Sequence, residues 1–153
     1  MADSAVYSEG LIEFPPRPGT LTRGTGETHD RNRLGHNFRM ATCLFCRIIA
    51  GEVPASKVFE DDRLVAFGDT NPQAPMHLLV VPRAHIATLN DLAPDHDALV
   101  GEMIRRGAAL AAERGYASSG YRTVFNCNAD AGQAVFHIHL HVLAGRKLAW
   151  PPG

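Results

Sequence analysis

Near the C-terminus, in the stretch QAVFHIHLHVL, His137, His139 and His141 occupy every second position and interleave with Ile138, Leu140 and Val142. Alternation of this kind is the signature of an extended strand. Side chains two apart point the same way, so the imidazoles line one face while Phe136, Ile138, Leu140 and Val142 line the other. The apolar face requires helices to cover it. The imidazoles stand about 6.6 Å apart along such a strand, too far for all three to act on one atom, so each has its own task. A lone strand histidine is ordinarily a hydrogen-bonded or solvated side chain. Three in register point instead to a metal site or to a catalytic one, in which one imidazole is the nucleophile, a backbone acceptor activates it through its other nitrogen, and a neighbour holds or protonates the reacting group.

The rest of the chain supplies the sheet. CLFCRIIAGE places Leu44, Phe45, Ile48 and Ile49 at helical spacing before a stop at Gly51. SKVFEDD and RLVAFGD read as a hairpin, and Pro72 and Pro75 mark a loop. HLLVVP is a third strand with His77, Leu79 and Val81 on one face and Leu78 and Val80 on the other. Leu99, Met103, Ala108, Leu110 and Ala111 form the stripe of one long helix between Asp95 and Arg114, with Gly115 as its stop. GYRTVFN and VFHIHLHVL are the fourth and fifth strands. Short connections predict an α+β fold: a five-stranded antiparallel sheet with one long and one or two short helices, the helices against one face.

A length of 153 residues suits one domain, and 15 basic against 16 acidic residues leave no basic face for nucleic acid or an anionic membrane. No apolar run is long enough to span a bilayer and no signal peptide opens the chain, so the expected compartment is the cytoplasm. Residues 1–39 carry Pro15, Pro16, Pro18 and five glycines without a periodic apolar pattern. They read as a flexible N-terminal extension, and the folded domain is expected over 40–153, with Met40 as an alternative start.

Cys43 and Cys46 form a C-x-x-C, either a redox pair or half of a metal site, and Cys127 reads as a packed thiol. Before the triad, Gly132 lets backbone N–H groups approach a phosphate, with Gln133 beside it as a polar side chain. Asn126 could add an amide donor or simply end a strand. Asp69, at the end of AFGD, could accept two hydroxyl donors or cap a turn. Leu44, Phe45, Ile48 and Phe67 read on their own as core. His29, His36 and His96 have no motif context and read as surface residues.

At this point the chain resembles the histidine triad (HIT) superfamily, whose His-φ-His-φ-His-φ-φ signature corresponds to His137 through Leu143. FCRIIAGEVPASKVFEDDRLVAFGDTNPQAPMHLLVVPRAHI, GYRTVFN and GQAVFHIHLHVLAGRKLAWPPG extend the likeness to its histidine triad nucleotide-binding branch over essentially residues 43–153. The resemblance implies a phosphoramidase that cleaves the P–N bond of purine nucleoside phosphoramidates. His139 would attack the α-phosphorus, His141 would bond a phosphate oxygen, and His77 would support the triad with His137. Leu44, Phe45, Ile48 and Phe67 would hold the base and Asp69 the ribose. Asn126, Gly132, Gln133 and Ala134 would face the phosphate, with Ala134 replacing a serine of the family. It also implies a structural zinc on Cys43, Cys46, His85 and His137, and a homodimer that joins two sheets into ten strands, with Trp150, Pro151 and Pro152 reaching toward the partner. A redox role for the cysteines is disfavoured, because no strand precedes them as in a thioredoxin-like unit. The competing readings are a nucleotide-binding regulatory protein of the same fold, another nucleotidyl hydrolase or transferase of the superfamily, and a hydrolase with a catalytic metal on the triad.

Overall fold

The computed structural model describes residues 42–152; the expected extension over 1–39 and the alternative start at Met40 lie outside the described residues. A short helix α1 (Leu44–Ile49) is followed by β1 (Lys57–Glu60), β2 (Leu64–Gly68) and β3 (Met76–Pro82). The long helix α2 (Asp97–Glu113), β4 (Tyr121–Phe125) and β5 (Leu140–Ala144) complete the order. The strands form one antiparallel sheet in the order β1-β2-β3-β5-β4. This is the expected α+β architecture. β3 is central and buried at all seven positions, which explains its near-continuous apolar run.

The two helices cover opposite faces, not one. Leu99, Met103, Leu110 and Ala111 of α2 pack with Leu78, Val80, Leu140 and Val142, whereas Phe45 and Ile48 of α1 pack with Val65, Phe67, Leu79 and Val81. Both sides of the alternation in β3 are therefore apolar, and the histidine face of the sheet is the one that α1 covers. In α2 the inward position is Gly107 rather than Ala108. A Cβ on Gly107 would lie 3.0 Å from Val142 Cγ2 and 3.2 Å from Leu140 Cδ2, so glycine is what allows this helix to lie so close to β5. Gly115 ends α2 at a φ of +81°, the left-handed conformation that a side chain disfavours.

The fifth strand is shorter than the alternation predicts. Pairing with β3 begins at Leu140, which faces Val80. Continuing the register would set Ile138 against Pro82, which has no N–H to give the ladder. Instead Ile138 N–H donates to the Ile86 carbonyl and His137 N–H to the Val135 carbonyl. His137 and His139 thus sit in a bent approach to the strand and only His141 lies within it. The alternation of faces survives for Ile138, Leu140 and Val142, all in the α2 core, but not for Phe136, which is 53% exposed.

Candidate active site

His139 is buried, and its Nδ1–H donates to the His137 carbonyl at 2.7 Å. A neutral imidazole has one ring proton, so Nε2 is left with a free lone pair. Burial holds the pKa of His139 below the usual imidazole value, against the opposing pull of the His137 carbonyl and Asp69, and so favours the neutral ring. The Phe45 ring meets this imidazole edge to face, with centroids 5.1 Å apart.

A second arrangement of protons runs through His77 and His141. In the pairing of β3 with β5, Leu79 faces His141, so His77, two residues earlier on the same face, is its diagonal neighbour. The backbone N–H of Gln73 donates to His77 Nδ1 at 3.1 Å, which puts the proton of the neutral His77 ring on Nε2. That proton points at His141 Nδ1, 2.9 Å away. His141 must then carry its own proton on Nε2, as a donor. Burial, followed by the nearby rings of His139 and His77, lowers the pKa of His141 to about 4; burial also lowers that of His77. Asp69 Oδ2 lies 3.4 Å from His77 Nε2 and 3.8 Å from His141 Nδ1. These three side chains could converge on a cation, but the 2.9 Å contact and the Gln73 N–H already use the ring nitrogens for one another.

The rings border a cavity of about 700 Å³. Leu44, Phe45, Ile48 and Phe67 line its apolar part, Asp69, His77, His139 and His141 its polar part, and Gly132 and Ala134 its rim. Asp69 is also a turn cap, since its Oδ1 accepts the Asn71 N–H at 2.8 Å. Asn126 and Gln133 are not among the lining residues. Gln133 is a buried brace: its Oε1 accepts the Asn128 N–H and its Nε2 donates to the carbonyls of Ala87 and Val135. The expected contact of its side chain with phosphate is therefore corrected, because the amide is already used on both sides. His137 does not line the cavity either.

His137 faces the cysteines. The segment after β3 and the approach to β5 are tied together by the Ile138 and Gln133 hydrogen bonds to Ile86 and Ala87, which brings His85 to His137. Helix α1 adds Cys46 and, at its N-cap, Cys43, three residues apart. His85 Nδ1 and His137 Nδ1 are 3.3 Å apart; Cys46 Sγ lies 3.3 Å from the former and 3.6 Å from the latter. Cys43 Sγ is 3.6 Å from His137 Nδ1. A tetrahedral zinc ion with ordinary bond lengths sets edges of about 3.3 Å between nitrogens and about 3.6 Å between nitrogen and sulfur. The donor set fits such an ion. His137 Nε2 donates to the Pro82 carbonyl at 2.8 Å, which fixes the tautomer that leaves Nδ1 able to bind a cation. Without a cation, burial and then Cys43 push the Cys46 thiol up to about 12, and burial holds His137 near 4. Two groups that anchor these rings, the Gln73 N–H and the Pro82 carbonyl, belong to the backbone, and no side-chain motif could have announced them.

Residues 42–148 match the family model described as "Scavenger mRNA decapping enzyme C-term binding". An uncharacterized HIT-like protein of Synechococcus elongatus is 48% identical over 72% of this chain and 96% of its own length. The purine nucleoside phosphoramidase of Escherichia coli is 44% identical over 69% of this chain and 88% of its own. Among solved structures, a HIT family hydrolase from Legionella pneumophila aligns with a TM-score of 0.72 and 52% identity, covering 73% of this chain and all of that one. A Zn-bound histidine triad family protein from Mycobacterium smegmatis aligns at 0.61 and 36% identity, covering 70% and 77%. With its triad, its five-stranded sheet and these relatives, the chain belongs to the histidine triad superfamily.

Proposed function

We propose that this protein hydrolyses purine nucleoside 5′-phosphoramidates, with His139 as a nucleophile that carries the nucleotide covalently between two displacements. The observation that supports it most is the 2.7 Å bond from His139 Nδ1–H to the His137 carbonyl, which leaves Nε2 unprotonated beside a nucleotide-sized cavity. In the first displacement Nε2 attacks the α-phosphorus, the P–N bond breaks, and the amine leaves with a proton taken from the site or from water. In the second, water attacks phosphorus and gives up a proton to solvent, the N–P bond to His139 breaks with its electron pair returning to Nε2, and the nucleoside monophosphate departs. Splitting the reaction this way replaces one difficult step by two easier ones.

The other roles follow from residue type. His141 Nε2–H donates to a phosphate oxygen as charge builds there, and the His77 ring keeps it in that tautomer. Leu44, Phe45, Ile48 and Phe67 hold the base and Asp69 accepts from the ribose hydroxyls. Gly132 brings backbone N–H groups to the phosphate, while Gln133 shapes the loop. Asn126, just after β4, supplies an amide donor toward the phosphate. Zinc on Cys43, Cys46, His85 and His137 is structural: it ties α1 to the triad segment and gives those ligands the charge that their buried donors call for.

The E. coli relative named a purine nucleoside phosphoramidase supports the choice of P–N chemistry. Among the described residues no helix is long and apolar enough to cross a membrane. We propose that it works as a homodimer, which sedimentation at micromolar concentration tests. The test of function is to quench turnover of adenosine 5′-phosphoramidate with denaturant and look for an acid-labile adenylyl group on His139. Turnover without that adduct, or in a His139→Gly variant at the wild-type rate, would rule out the mechanism; tight AMP binding with no turnover would favour a regulatory binding role.

A further inference from the structure

Helix α1 serves two sites at once. Cys43 and Cys46 face the metal cluster, while Leu44, Phe45 and Ile48 line the nucleotide cavity. Phe45, between the two cysteines in sequence, is buried. Its ring meets three others: His139 at 5.1 Å and 84°, His137 at 6.1 Å and 62°, and Phe67 at 5.5 Å and 68°. His137 also joins the two sites, because its ring belongs to the cluster while its carbonyl receives the His139 Nδ1–H.

We infer that Phe45 is a positioning residue for His139, held in register by the metal cluster, so that the cluster and this ring together fix the direction of the nucleophile's lone pair. The inference rests on the proposed role of His139. The physical basis is rigidity from two sides. The hydrogen bond to the His137 carbonyl fixes one ring nitrogen but leaves the imidazole free to tilt about that contact. A second ring packed edge to face against the imidazole removes that freedom, and aromatic pairs of this geometry are stabilising in their own right. The aromatic ring can restrain the imidazole only if α1 itself is restrained. Six residues are too short to hold as an isolated helix, so the cluster at its first turn is a natural restraint. A tilt that displaces Nε2 by about 1 Å would cost up to about a hundredfold in the displacement step.

The test uses full-length, zinc-loaded protein labelled with ¹⁵N-histidine, in which the Nδ1–H of His139 gives a protected imidazole resonance through its bond to the His137 carbonyl. In Phe45→Leu, which keeps all four metal ligands, metal content stays at the wild-type level while that proton exchanges faster with water and kcat falls roughly ten- to hundredfold. A residue that served only as a wall for the base would raise KM alone and leave the exchange rate of that proton unchanged, and that result overturns the inference. Cys46→Ser, with less metal bound, also weakens the nuclear Overhauser contact between the Phe45 and His139 rings, which a route through the His137 carbonyl alone would leave intact. Should that variant not fold, wild-type protein loaded with cadmium in place of zinc supplies the second arm: its larger ion stretches the cluster, and a resonance that ignores the exchange overturns the coupling. The resonance reports on His139 whether or not phosphoramidates are turned over, so failure of the proposed reaction reads separately.

Discussion

Nε2 of His77 lies 2.9 Å from Nδ1 of His141, and the opposite nitrogen of His77 accepts the backbone N–H of Gln73. The polarity of this pair is set by a peptide group. Since Gln73 can only donate, His77 can only donate onward, and His141 is left to present a proton.

That relay predicts a graded series. His77→Leu removes the donor to His141 and should lower kcat by about tenfold or more, the scale on which loss of an oriented donor is felt at a developing oxyanion. His77→Gln, whose amide N–H can reach the same nitrogen, should retain more activity than His77→Leu. Steady-state rates of the two variants decide the matter: equal losses would show that donation by His77 is not what counts.

Acidification should destabilise the fold in a defined window. His141 has a pKa of about 4 in the folded chain against 6.5 for a free ring, so between those values the unfolded chain binds the extra proton. Stability from burying the ring neutral is therefore complete above pH 6.5 and is lost as pH falls toward 4. His77 and His139, also lowered by burial, act in the same direction. Urea midpoints should drop across this range, and, if His139 is the proposed nucleophile, the acid limb of kcat/KM should fall below pH 6.5 because the attacking ring must be neutral. A limb centred at or above the free-imidazole value would contradict the burial of His139.

Cys43→Ser should reduce bound zinc from about one per chain to well below that, as expected when a thiolate is removed from a four-ligand site. The loss of about 2 kcal/mol would appear as a fall in Tm of roughly 10 °C. Metal analysis beside a melting curve checks both. Protein purified free of metal with an unchanged Tm would remove the structural role.

Ala134 is exposed and lines the cavity, at the position where the family resemblance implies a serine. Ala134→Ser restores a hydroxyl donor beside the reacting centre, worth about 0.5–1.5 kcal/mol, or about two- to tenfold in rate. The gain in kcat/KM should be larger for alkylamine phosphoramidates, which must be protonated as they leave, than for substrates with good leaving groups. Equal or slower turnover of the alkylamine substrate in the variant would mean that water or His141 already serves.

Where side-chain pattern governs structure, the sequence was readable: the hairpin, the buried central strand, the long helix and the alternation on β5 follow from apolar periodicity alone. Cys43 and Cys46 could be read from their spacing as half of a metal site, whereas His85 and His137 were added to them only by the family resemblance; the fold brings all four together. What escaped was decided by contacts far apart in the chain. Pro82 stops the ladder opposite Ile138, a consequence of register that alternation cannot reveal. The two apolar sides of β3 were visible, yet nothing local says which helix takes which side. Gln133 looked like a ligand for phosphate because a glutamine's type does not disclose that the Ala87 and Val135 carbonyls and the Asn128 N–H claim it first.

The absent side chain at Gly107 gives the long helix a mechanical part in a site it never touches. A methyl group there would press on Leu140 and Val142, which would have to yield by a few tenths of an ångström. Those two residues flank His141 and follow His139 in the chain. The thickness of one helix-to-sheet contact thus serves as a gauge for the height of two imidazoles on the far side of the sheet. A larger residue at this position would thus be felt in the layer that holds the imidazoles as well as in its own.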